Sequence, residues 1–187
     1  YSTYLHMLPA LEKYNFPATL YLTTYYSEKQ MPVYNVLIHY LLMTTTEATL
    51  DMGALGVSGN EIIDLSNVDQ RQKTSIKLQS IVDDLDAGAR DSLVCQIATL
   101  LGIDYKKIIN DKWFHLVSID QVSDMVNRGV DVQLHTHRHR ISFEGIDCLE
   151  QELMDNRLRL EALVAQPLKH FCYPSGVYDE AVWPSLK

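Results

Sequence analysis

Apolar positions along this chain alternate between a helical and an extended period, and the switches predict helices and strands in turn. Leu5, Leu8 and Leu11 recur at helical spacing and lead to a stop at Tyr14 and Asn15, with Pro9 either kinking that helix or marking its start. After Pro17, the run Ala18, Thr19, Leu20, Tyr21, Leu22, Thr23 is rich in β-formers and predicts a strand. Ser118 and Gln121 have capping-box spacing, Ile119, Val122 and Val126 share a face behind them, and Gly129 supplies the stop. That helix feeds an alternating strand carrying Val130, Val132 and Leu134. Downstream, Asp147 and Glu150 repeat the capping spacing ahead of Leu149, Leu153, Leu160, Leu163 and Val164, and residues 169–173 predict a further strand that ends in Pro174, Ser175 and Gly176.

Helix followed by strand, repeated, is the rhythm of an α/β fold. Two successive helix-to-strand units imply parallel strands whose C-terminal ends lie on one side of the sheet, so the end of the 130–134 strand and the Pro-Ser-Gly turn are expected as neighbours. Residues 27–110 carry a weaker signature. Leu78, Ile81, Val82 and Leu85 are amphipathic, as are Leu93, Ile97, Leu100 and Leu101 before Gly102, and glycines at 53, 56 and 59 precede a 61–65 segment consistent with a hairpin. The tract reads as a largely helical insertion or as core-packing helices. About four strands are legible, fewer than a closed α/β barrel needs, so part of the domain is expected outside this sequence.

Length and composition narrow the classes. The 187 residues suit one domain, and 47% hydrophobic with 21% charged residues is the composition of a folded globular chain. A net charge of −8 argues against nucleic acid as the main partner and favours neutral or cationic ligands. The longest apolar run, near residues 36–43, is far short of the ~20 residues that span a bilayer. Cys95, Cys148 and Cys172 are too widely spaced for a disulfide framework or zinc finger and read as buried thiols.

The strongest chemical signal is the placement of His135, His137 and His139 directly after the apolar strand. If the backbone turns helically, His135 and His139 share a face and can grip one metal ion while His137 points away; if it stays extended, all three share a face. The sequence leaves both geometries open, beside a third in which the run is a solvated loop.

Set side by side, these strand ends resemble those of the polysaccharide deacetylase family, carbohydrate esterases with a NodB-homology domain. His135, Thr136 and His139 match the defining positions of its His-Ser/Thr-x-x-His motif, and the segment from Phe171 through Pro174, Ser175 and Gly176 to Tyr178 looks like its aromatic strand and Pro-x-Gly turn. Residues 8–19 are similar to the helix and strand that follow the family's first motif. The resemblance implies a distorted (β/α) barrel of the NodB type, incomplete in this chain. It also places the family's Asp-Asp motif, source of the catalytic base and third protein ligand, immediately before Tyr1, and the later motifs, an apolar pocket and a general-acid histidine, after Lys187. Cys172 stands where many members carry an arginine.

The activity implied is metal-dependent hydrolytic removal of N- or O-acetyl groups from a polysaccharide or oligosaccharide. His135 and His139 would be metal ligands, with zinc the first expectation and cobalt or another first-row ion compatible with the same donors. The backbone amide of Ser175 would be the oxyanion donor, although the same residues without the resemblance read as a plain turn. Tyr173, Pro174, Gly176 and Tyr178 would line the substrate groove, the tyrosines serving equally well as core or rim residues. Thr136 either holds the histidine loop by hydrogen bonding or is a simple strand-end residue. His6, His39, His115 and His170 read as structural. An exported or envelope location follows by resemblance.

Two further readings compete: another His-x-His metallohydrolase, and a catalytically incomplete carbohydrate-binding or scaffold module of the same fold. A metallo-β-lactamase pattern fails, because it requires Asp and His where His139 and Arg140 stand.

Overall fold

The computed structural model of the chain describes residues 1–57, 60–139 and 146–176, without the side chains of 146–148. A π-helical turn (Thr3–Met7) leads into α1 (Leu8–Tyr14), β1 (Thr19–Leu22), α2 (Thr24–Lys29), α3 (Tyr34–Thr44), β2 (Thr49–Asp51) and β3 (Ile62–Asp64). Then come α4 (Val68–Asp83), α5 (Ala87–Leu100), α6 (Tyr105–Asn110), α7 (Ile119–Asn127), β4 (Asp131–Leu134), α8 (Ile146–Glu161) and a 3-10 turn (Pro174–Gly176). The elements divide into two units, Tyr1–Met31 with His115–Lys187, and Pro32–Phe114.

In the first unit, local chemistry sets the element boundaries. Pro9 lies in the first turn of α1, where its missing N–H breaks no bond, so it marks the start of the α-helix. Asn15 ends α1 in the left-handed region, its N–H donating to Glu12 O and that of Phe16 to Leu11 O. Ser118 and Gln121 form the full capping box of α7. At its other end Gly129, at φ 88°, lets its own N–H reach Val126 O and that of Val130 reach Met125 O, the paired bonds that close a helix and release the chain into β4.

β1 and β4 pair in parallel with Leu22 opposite Leu134, and Leu134 also bridges Phe171 in parallel, so β4 runs between two neighbours. Leu8, Leu22, Val122, Met125, Val132, Leu134 and Leu160 form the core around it. The strand expected over 169–173 is reduced to one bridging residue. The reason is Gln133, whose buried side-chain Oε1 accepts the N–H groups of Lys169 and His170, each at 2.9 Å, in place of backbone rungs.

The Pro32–Phe114 unit is helical around buried Leu37, Ile38, Leu41, Leu78, Val82 and Ile97. β2 and β3 pair antiparallel, as the hairpin reading of 61–65 anticipates. The hydroxyls of Tyr34 and Tyr105 both donate to Asp91, and burial, reinforced by that carboxylate, pushes both phenols well above their ordinary pKa.

The chain is therefore a mixed helix and strand fold. Its sheets are small, β1 with β4 and β2 with β3, and neither closes into a barrel among the described residues. No described helix is long and apolar enough to cross a membrane. Cys95 and Cys172 are free thiols and half-buried rather than fully buried; Asp147 is already inside α8, so it does not take the expected capping position, and the Cys148 thiol lies outside the described residues.

Candidate functional site

Beyond Leu134 the chain reverses sharply. Thr136 (φ 60°) and His139 (φ 59°) both occupy the left-handed region. For a β-branched residue such as Thr136 this conformation is an outlier that costs on the order of 1–3 kcal/mol and persists only where surrounding structure enforces it. The reversals bring His135 and His139 together without a helical turn: their ring centroids are 4.8 Å apart with planes at 70°. His137 faces the other way, with Nδ1 2.8 Å from Thr24 Oγ1 and its ring edge-on to Tyr25. Its carbonyl accepts from Tyr25 N–H and Thr23 Oγ1, and its N–H donates to Glu152 O. Burial, helped by the charges of Arg159 and Arg138, lowers the pKa of His137, as suits a neutral structural imidazole. Of the two geometries open in the sequence, the paired one is formed, though on a non-helical backbone.

The tautomer of His135 follows from its partner. Nδ1 lies 2.7 Å from Cys172 O, and a carbonyl oxygen only accepts, so Nδ1 carries the proton and Nε2 keeps its lone pair. His139 as a residue reaches solvent, but its ring loses enough water that its pKa drops below the ordinary imidazole value, and His135 lowers it further. A neutral imidazole with a free nitrogen is the state a metal ligand needs.

Thr136 Oγ1 is completely buried and has no hydrogen-bond partner among the described residues. Leaving such a hydroxyl unsatisfied costs about 1–3 kcal/mol, so it is an unpaired polar group within the histidine loop. The chemistry of the pair, two imidazoles whose rings meet, suits a divalent first-row ion completed by oxygen ligands. Among the described residues, no group of three or more His, Cys, Asp or Glu side chains converges on one point.

The Pro-Ser-Gly turn lies alongside. Cys172 N–H donates to Leu134 O at 3.0 Å, and Gly176 N–H closes the turn on Tyr173 O at 3.1 Å. Ser175 is exposed and left-handed at φ 57°, making it a third non-glycine residue in that region at these chain ends. Pro174 is buried and Gly176 exposed. Tyr173 is half-buried, 4.9 Å from Phe171 and packed on Leu149 and Leu153. Tyr178 lies outside the described residues. Arg138 pins the histidine loop to α8, its N–H and guanidinium both donating to Glu152. All this chemistry sits at the C-terminal ends of the parallel strands, where α/β proteins place their ligands. A groove of about 550 Å³ lined by Leu8, Glu12, Phe16, Arg128 and Val130 belongs to the opposite strand ends.

The profile of a family described as polysaccharide deacetylase matches residues 87–187, more than half of the chain and all of the histidine and Pro-Ser-Gly segments. The chain belongs to the polysaccharide deacetylase family. No curated protein and no solved structure matches it. Membership carries a deacetylase-like, hydrolytic function and a polysaccharide class of substrate.

Two residues that shape this candidate site escape a pattern reading. Gln133 holds the 169–170 backbone and so places the Cys172 carbonyl against His135. Asn156, wholly buried, accepts His135 N–H. Both leave a trace in the sequence, since each is a polar residue in an apolar stripe: Gln133 between Val132 and Leu134, Asn156 between Leu153 and Leu160.

Proposed function

We propose that this polysaccharide deacetylase removes N- or O-acetyl groups from an acetylated glycan with the help of a divalent ion, zinc first, held by His135 and His139. The observation that carries this is the meeting of the two rings at 4.8 Å, with the His135 tautomer set by Cys172 O so that Nε2 is free. When bound, such an ion supplies a water of lowered pKa and polarises the acetyl carbonyl. The chain's own residues do the rest. His135 and His139 orient their nitrogens, the buried hydroxyl of Thr136 steadies the histidine loop through an oxygen partner, and the backbone N–H of Ser175 donates to the oxygen on which negative charge develops. Tyr173 and Gly176 shape the sugar-facing rim, while Pro174, buried, serves the turn rather than the groove. The fold is read as a NodB-type distorted barrel interrupted by a largely helical insertion at about residues 27–110, working on envelope or exported glycans.

Metal content tests the reading. After dialysis the protein is expected to retain stoichiometric zinc that is lost in the His135→Ala/His139→Ala double variant, and to release acetate from a partly acetylated chitin oligosaccharide only when zinc is present. Equal zinc in the protein and its double variant would remove the ion from these histidines. Binding of the oligosaccharide without metal or acetate release would instead identify a carbohydrate-binding module of the same fold.

A further inference from the structure

Asn156 occupies the inner face of α8 at 0% exposure, in a stripe otherwise made by Leu149, Leu153 and Leu160. A carboxamide in such a place is costly unless fully paired. Here Oδ1 accepts His135 N–H at 3.0 Å, while Nδ2 donates to Leu22 O at 3.0 Å and to Thr24 Oγ1 at 3.2 Å.

The two backbone groups it takes are the ones due to meet next in the sheet. Asp131 N–H donates to Ala18 O, and rungs on one strand of a parallel ladder recur at every second residue. The rung from 131 to 18 therefore continues as 133 to 20 and then 135 to 22. The ladder's register ends at Leu22 opposite Leu134, and at the following rung the carboxamide stands between His135 N–H and Leu22 O. Each backbone group keeps a partner, but the strands part by the width of a side-chain amide. Thr24, bonded to the same Nδ2, also holds His137 Nδ1, so one side chain is tied to both outcomes of the histidine loop: His135 toward His139, and His137 away.

We propose that Asn156 is a positioning residue whose carboxamide replaces the His135–Leu22 rung, parts β1 from β4 at their C-terminal ends, and so fixes the backbone of His135 with its ring toward His139. Its consequence for metal binding rests on the reading of His135 and His139 as ligands; the wedge itself does not. Without the carboxamide the rung can close, carrying the His135 backbone toward β1 and its ring out of register with His139.

The wedge is tested in the unaltered, metal-free protein by through-hydrogen-bond scalar coupling after 15N, 13C and 2H labelling. Coupling from the His135 amide nitrogen to Asn156 Cγ is expected; coupling to the Leu22 carbonyl carbon would overturn the proposal. The positioning role is tested by zinc competition titration of Asn156→Ala beside Leu160→Ala, which removes core volume from the same helix without touching the rung. The Asn156 variant is expected to bind zinc about tenfold or more weakly, in the range seen when groups that orient a metal ligand are removed, while Leu160→Ala keeps wild-type affinity. Equal losses in the two, or none in Asn156→Ala, would reduce Asn156 to a packing residue. If Asn156→Ala does not fold, Asn156→Asp serves, since it keeps the shape and the acceptor for His135 but offers Leu22 O no donor. Absence of zinc binding in the unaltered protein would sink the ligand reading alone, and the scalar coupling would still decide the wedge.

Discussion

His135 Nδ1 lies 2.7 Å from the carbonyl oxygen of Cys172, a residue 37 positions further along the chain. The contact uses only the backbone of residue 172. Cys172→Ala is therefore expected to leave zinc affinity unchanged in a competition titration, although Cys172 stands where related proteins often carry an arginine. A loss of about tenfold or more, the scale expected for a group that orients a ligand, would mean that the thiol itself takes part.

The three histidines should separate by experiment. His135→Ala and His139→Ala are each expected to lower bound zinc below one per chain while changing the stability of the metal-free protein little. His137→Ala should keep zinc but lose about 1–3 kcal/mol in urea unfolding, since it removes a buried ring and its bond to Thr24. The reverse pattern would move the site to His137.

Gln133 offers a test of how the second strand end is held. In Gln133→Leu the N–H groups of Lys169 and His170 lose their acceptor, for an expected cost of about 1–3 kcal/mol. Hydrogen exchange at those two amides should accelerate, and zinc affinity should fall because the Cys172 carbonyl moves with the segment. Unchanged exchange would show that the segment is held by other means.

Acid sensitivity should trace to the first unit's surface pairs. The Arg128 guanidinium holds the Glu12 carboxyl below its ordinary pKa, and Tyr4 followed by Arg128 does the same for Asp124. A carboxylate whose folded pKa is depressed contributes stability that is present above its unfolded pKa and lost as pH falls through the folded value. Between about pH 5 and about pH 2, from the ordinary carboxylate range down through the depressed values, the wild-type Tm should therefore drop more steeply than that of Arg128→Leu. Parallel curves would show that these pairs add nothing.

Much of the first unit is legible locally. Pro9, Asn15, the Ser118 and Gln121 box and Gly129 bound α1 and α7 because caps and stops depend on residues within a turn of one another. The parallel placement of the histidine strand beside the Pro-Ser-Gly turn follows from connection rules alone, and the Leu134 to Phe171 bridge realises it. The 169–173 segment reads as a full strand, yet it makes one bridge, because the groups that would form its rungs are taken by a side chain from another strand.

The sequence by itself determined the identity of the chemistry: an apolar strand running into His135, Thr136 and His139, an aromatic segment running into Pro174, Ser175 and Gly176, and the family these match. Only the tertiary structure decided which imidazoles meet. That choice depends on left-handed dihedrals at Thr136 and His139, on a carbonyl at 172, and on a carboxamide at 156. Backbone strain and buried hydrogen bonds of this kind are stable only when groups far apart in the chain are already packed, so local periodicity carries no record of them.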